Sequence, residues 1–323
     1  MGSWRSHQWR PVWLVAAATA IVTAACGGSD HPSGSTSGSD RDGRPNIVVT
    51  YAILGDIVQR IAGDTVDVDV VIPNGQDPHE FSASAHDIEQ MLDAAMIVAN
   101  GLDLEEGLVD AIDRAEDEGV PVFRASDHIT ARHLGADEES EHEAEHGDAH
   151  DHGGDDPHLW TDPLTVAELA PALGDALGDA VGADLSAGAD AFVEQMHALD
   201  RQVRGIMSAI PEGGCTLVTG HESLGYFADR YGCTIVGAVV PSLSSTAEAS
   251  AKDLAELIDA IERTGVRAIF TEVGTPSQVA EQVAGDVGVP LVELPSHALP
   301  DAGGYPAYIV DLATKIADAL AGP

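Results

Sequence analysis

The sequence predicts an α/β protein of two lobes, each a mainly parallel β-sheet flanked by helices, joined by one long helix. Three observations carry this. Short Val/Ile-rich runs alternate with segments of helical period across 45–185. The same alternation restarts at 211 and continues to 323. Between the two series, 186–210 holds apolar residues at i, i+3, i+4 spacing, with no glycine from Ala189 until Gly205.

Asn46–Tyr51 is a continuous apolar run, which reads as a strand buried on both faces. Ile53–Ile61 follows at helical spacing, and Val66–Ile72 is a second strand ending at Pro73-Asn74-Gly75. Ser84–Leu92 reads as a helix with Ser82 or Ser84 as its cap. Ala95–Asn100 is a third strand, Leu104–Glu116 a helix and Val120–Phe123 a fourth strand. Leu164–Ala180 is Ala/Leu-rich and helical, and Ala187–Ile210 is the long connecting helix, closed by Pro211-Glu212-Gly213-Gly214. The second series predicts strands at Thr216–Thr219, Thr234–Val240, Arg267–Thr271 and Pro290–Leu294. Its helices fall at Glu222–Tyr231, Thr246–Arg263, Pro276–Val287 and Tyr305–Leu320.

The formal net charge is -39, from 54 acids against 15 Lys and Arg, and 44% of residues are hydrophobic. Such a chain is globular, and it lacks the cationic surface that non-specific nucleic-acid binding needs. It attracts cations instead. Residues 1–25 read as a leader: Arg5 and Arg10 precede an apolar run, Val12–Ala25, too short to span a bilayer. The run ends Thr23-Ala24-Ala25-Cys26-Gly27, which resembles a bacterial lipobox. That resemblance implies cleavage before Cys26 and acylation of its thiol, hence a lipid anchor on the outer face of the cytoplasmic membrane. Residues 26–44 form a flexible Gly/Ser/Asp tether. Cys215 and Cys233 lie in an exported chain, where a disulfide between them and two buried free thiols both fit.

The chemistry concentrates in histidines. Residues 133–157 form an acidic loop with no apolar periodicity, carrying His142, His146, His150 and His152. Tracts of this kind read as metal-binding. Beyond it, the tripeptide Asp-Pro-His occurs twice, ending at His79 and His158. Proline fixes its own φ and restrains its neighbours, which suits a preset ligand. His221 follows the Thr216–Thr219 strand and His297 follows Pro290–Leu294. Ligands of open α/β sheets bind at the carboxyl ends of strands, and all four histidines map there, two from each lobe.

Three of these stretches carry a family resemblance. They are Asp77-Pro78-His79-Glu80-Phe81, the His-rich loop ending Asp156-Pro157-His158-Leu159-Trp160-Thr161-Asp162-Pro163, and the run from His221-Glu222-Ser223 through Gly225-Tyr226 to Asp229-Arg230-Tyr231. Together they resemble the metal-binding motifs of the zinc ABC-transporter solute-binding proteins (ZnuA/TroA-like), over about Pro45 to Leu320. The resemblance implies the helical-backbone metal-receptor architecture, with a rigid helix between lobes. It also implies capture of a divalent metal by a monomer for the permease of an ABC importer. It assigns His79, His158 and His221 as ligands. Manganese members carry a carboxylate at the third position, so His221 favours zinc over manganese, as ligand softness does. The family's fourth ligand is an Asp shortly before the last helix. Here the segment reads Ser296-His297-Ala298-Leu299-Pro300-Asp301, which favours His297, with Asp301 as rival and Glu272 or water behind them. Glu80 and Glu222 are either acids that orient imidazoles or plain surface acids.

Zn2+ is then transported ligand, and the loop histidines an auxiliary low-affinity collector. Four protein ligands leave no open position to activate water, and no His-Glu-x-x-His helix is present, so the chain does not read as an enzyme. The alternatives are a manganese or iron receptor of the same fold, or an exported zinc chaperone or adhesin.

Overall fold

The computed structural model describes residues 43–133, 154–273 and 278–321. The leader, Cys26, most of the tether and the loop residues His142, His146, His150 and His152 lie outside them.

Strand β1 (Asn46–Tyr51) is central to a four-stranded parallel sheet with β2 (Asp67–Ile72), β3 (Met96–Ala99) and β4 (Val122–Arg124), in the order β2-β1-β3-β4. Ile47, Val48 and Val49 are completely buried, as expected of a strand covered on both faces. Helix α1 (Ala52–Ala62) follows β1 directly and buries Ile53, Leu54, Ile57, Val58 and Ile61. Helix α2 (Ala85–Leu92) starts at Ser84, whose hydroxyl accepts from the Asp87 N–H while Asp87 answers the Ser84 N–H.

Helix α3 spans Val109–Asp117, shorter than the predicted Leu104–Glu116. The reason lies at the end of β3. Gly101, Leu102 and Asp103 all take positive φ (83°, 54° and 54°), so the chain turns sharply before it can coil. That turn delivers Glu105 inward, where its carboxylate accepts from Thr50 Oγ1 and the Asn100 N–H.

Helix α4 (Pro163–Val181) is capped by Asp162, which accepts from the Leu164 N–H, with Pro163 in its first turn. Helix α5 (Ser186–Met207), 22 residues and about 33 Å long, returns antiparallel along α4 and also packs on α1. In the second lobe, β5 (Thr216–Thr219) pairs in parallel with β6 (Thr234–Ala238), and β7 (Ile269–Glu272) with β8 (Leu291–Leu294). The two pairs lie side by side through β5 and β7. Their helices are α6 (Gly225–Tyr231), α7 (Ala251–Thr264) and α8 (Gln278–Val287). Helix α7 begins five residues later than predicted, because a second Ser–Asp capping box, Ser250 with Asp253, sets its start. The hydroxyls upstream of it are spent elsewhere. Helix α9 (Gly304–Ala321) follows the second series in sequence, yet packs along α5 and α1 and buries Tyr305, Tyr308, Ile309, Leu312 and Ile316.

Cys215 and Cys233 form a disulfide between the entries to β5 and β6. Among the described residues no helix is long and apolar enough to cross a membrane.

Candidate metal centre

Each Asp-Pro-His tripeptide folds the same way. Asp77 Oδ1 accepts from the backbone N–H of His79 at 3.0 Å, and Asp156 Oδ1 accepts from that of His158 at 2.9 Å. The intervening proline fixes the bend, and the carboxylate two residues back pins the histidine. His79 follows β2, His158 precedes the 3-10 turn Leu159–Thr161, and His221 follows β5. The folded chain brings these three together. His158 Nε2 lies 3.3 Å from His79 Nε2 and 3.1 Å from His221 Nε2. The ligand atoms of all three fall within 4.8 Å of one another, and all three residues are buried. A tetrahedral ion with bonds of 2.0–2.1 Å separates its ligand nitrogens by roughly 3.3–3.4 Å, so the spacing suits one ion held by three imidazoles.

Carboxylates stand behind the rings. Asp156 Oδ1 also faces His158 Nδ1 at 2.8 Å, which puts the proton on Nδ1 and turns the Nε2 lone pair to the centre. Glu272, the last residue of β7, lies 3.3 Å from His221 Nδ1 and accepts from Ser223 Oγ. Glu106 lies 3.4 Å from His79 Nδ1. Gly220 is fitted to this arrangement, since a Cβ there would sit 2.0 Å from a Glu272 carboxylate oxygen.

The electrostatics follow from burial and pairing. Burial holds His158 well below the ordinary histidine value, and the neighbouring His221 and His79 add to this. Burial also pulls His297 down to about 4. For His221 burial acts downward too, but Glu272 outweighs it and the net shift is upward. Burial pushes Asp156 up to about 6, against the pull of the His158 N–H and Arg132.

His297 is buried beside the trio, outside the cluster of three, with its ring centroid 6.4 Å from that of His221 and its Nε2 3.9 Å from Asp77 Oδ1. Among the described residues neither of its ring nitrogens has a hydrogen-bond partner. Sequence position credits His297 to the second lobe, but its loop is tied to the first. The His297 carbonyl accepts from the Gly75 N–H, Asn74 exchanges two bonds with Leu299, and Trp160 Nε1 donates to the Ser296 carbonyl. His221 and Glu272 are thus the groups that the second lobe's β5 and β7 bring to the centre.

The remaining candidates separate. Asp301 is exposed in the turn before α9 and lies outside the cluster of three. Glu80 is exposed, on the wall of the cleft that reaches His221. Glu222 is half-buried and its backbone N–H donates to the Ser242 carbonyl. Among the described residues, Asp156, Glu272 and Glu106 face the rings of the three clustered histidines, and Asp77 faces His297. Sequence reasoning missed Glu106, because Glu105-Glu106 read as part of a helix face. A mostly apolar cleft of about 520 Å³ reaches His221 and Glu272 from the second lobe, with Glu80, Ser245 and Glu248 on its walls.

The run after His221 docks the two lobes. Tyr226 Oη donates to the Asp156 carbonyl, Arg230 pairs with Asp162, and Arg132 Nε donates to Asp229. Gly225 lets α6 approach closely, since a Cβ there would meet the Asp156 carboxylate at 2.4 Å.

A family model described as zinc-uptake complex component A, periplasmic, matches residues 47–320. The chain belongs to this family. It is 29% identical over 276 residues to the manganese-binding lipoprotein MntA of Halalkalibacterium halodurans, covering 84% of each chain. It is also 29% identical over 302 residues to the zinc-binding protein TroA of Treponema pallidum, covering 91% of this chain and 92% of that one. The solved structure of the periplasmic zinc-binding protein TroA from Treponema pallidum superposes with a TM-score of 0.74 at 28% identity, over 86% of this chain and 99% of that one. The chain is therefore a metal-binding solute-binding protein of the ABC-importer type and not an enzyme. Its two-lobed α/β fold is the one the sequence predicts.

Proposed function

We propose that this protein captures Zn2+ outside the cytoplasm and hands it to the permease of an ABC importer. The observation that carries the reading is the convergence of ligand nitrogens of His79, His158 and His221 within 4.8 Å of one another, all buried. Three neutral imidazoles suit zinc, whereas manganese prefers carboxylate oxygen. His297, buried nearby with no hydrogen-bond partner for its ring among the described residues, completes a four-histidine set when the ion draws it in. Acylation at Cys26 would hold the monomeric body at the membrane on the 26–44 tether. His142, His146, His150 and His152 would gather zinc weakly and raise its concentration near the centre.

The test is native mass spectrometry of the mature chain, with and without residues 133–154, after equal exposure to zinc and manganese. One tightly held zinc that survives the deletion is expected. Retained manganese in preference to zinc would overturn the metal assignment, and loss of all metal on deletion would move the chemistry into the loop. Zinc uptake under severe limitation should fall when the loop is removed; unchanged uptake would refute the collector role.

A further inference from the structure

His79, His158, His221 and His297 are each at most 5% exposed, so an ion held among them would be shielded from bulk water. Beside the centre, the second lobe reaches across with an irregular loop between β6 and α7. Ser244 Oγ donates to Glu106 Oε1 at 2.6 Å, and Ser245 Oγ donates to Asp77 Oδ2 at 2.7 Å. Both acceptors belong to the first lobe, and both already position His79. Asp77 takes the His79 N–H through its other oxygen, and Glu106 faces His79 Nδ1. The loop is also tied back to the second lobe's ligand. The Ser242 carbonyl accepts from the N–H of Glu222, the residue after His221, and Ser242 Oγ accepts from the Ser244 N–H. A short chain of hydrogen bonds thus connects the His221 segment to His79 across the gap.

We propose that Ser244 and Ser245 form a latch that holds the second lobe over the metal centre and sets the rate of metal release. The inference rests on the metal-site reading above and concerns the regulation of that same site. Its chemistry fits a reversible device. Bonds to carboxylates are among the stronger hydrogen bonds, so two of them favour the closed form. Both serines are only half-buried, so water can take over the two carboxylates as the lobes separate, at small cost. Of the other cross-lobe contacts, Arg230–Asp162 and Arg132–Asp229 are ion pairs, while the indole of Trp160 and the hydroxyl of Tyr226 donate to backbone carbonyls from buried positions. Those bonds maintain the packing, whereas the serine hydroxyls can let go without exposing apolar surface. The latch also couples release to geometry, because Asp77 and Glu106 lose their cross-lobe partners at the moment His221 withdraws from His79.

The test uses the full mature chain loaded with one zinc and mixed with excess chromophoric chelator in a stopped-flow instrument. In the double variant Ser244→Ala, Ser245→Ala, release is expected to be roughly tenfold faster, with the association rate unchanged and one zinc still bound per chain. Ser244→Thr with Ser245→Thr keeps both hydroxyls and should restore slow release, which a purely structural role of the loop would not require. Release within twofold of the parent, with one zinc retained, would overturn the latch alone. Failure of the parent itself to hold a zinc would overturn the metal-site reading, and the latch with it.

Discussion

Replacing Asp156 by Asn probes the support behind the central ligand. Asp156 is fully buried, and its two oxygens have separate tasks. Oδ1 accepts both the backbone N–H of His158, at 2.9 Å, and faces its Nδ1, at 2.8 Å. Oδ2 faces Arg132 Nη1 at 3.6 Å. Asparagine has one oxygen and cannot serve both sides. If the oxygen keeps His158, the amide NH2 points at a guanidinium; if it turns to Arg132, the NH2 meets two groups that need an acceptor. Either orientation also removes the negative charge that makes the imidazole a better donor to a cation. Partners of this kind contribute 10–100-fold to metal affinity, so zinc binding should weaken by about 1.4–2.7 kcal/mol. The assay is competition against a chelator of known affinity, with thermal unfolding of the metal-free protein as control. The metal-free form should melt close to the parent, because Arg132 retains Asp229. Zinc affinity within twofold of the parent, with the fold intact, would refute the argument that Asp156 orients His158.

His221→Glu should weaken zinc by at least about tenfold and shift the zinc-to-manganese ratio toward manganese, since an oxygen donor replaces a softer nitrogen; calorimetric titration of both metals measures it. Zinc affinity should also fall as the solution is acidified. Because His221 holds its proton more tightly than an ordinary histidine, the loss should begin at or above about pH 6.5 and deepen below it, and full affinity at pH 5 would contradict a histidine site. His158 and His297, held low by burial, stay neutral through that range and do not start the decline. Replacing Cys215 and Cys233 together by Ser should cost about 3 kcal/mol in denaturant unfolding, for a loop closed across 18 residues, while zinc affinity of the folded form stays near the parent's. The bond joins the strand entries, whereas His221 stands at the opposite end of β5.

The strands, the helices and the family were legible in the sequence because they rest on local periodicity and on short motifs. The buried run of β1, the twin Asp-Pro-His bends and the His221 stretch all specify their own conformation within a few residues. Helix starts were less legible. The left-handed turn at Gly101–Asp103 and the diversion of Ser244 and Ser245 to distant carboxylates delay α3 and α7, and neither leaves a mark in periodicity. The three central histidines could be named from sequence, but their 3.1–3.3 Å convergence depends on β2, β5 and the Leu159 turn ending at one place. Glu106 and Glu272 take their roles from neighbours 27 and 51 residues away in the chain, His79 and His221. The lobe to which His297 is tied was likewise decided by tertiary contacts, because Asn74 and Trp160 hold its loop from the other side of the fold. Sequence determines what a segment does with itself. Only the folded chain decides which distant carboxylate stands behind which ring, because burial and pairing exist only once the lobes have met.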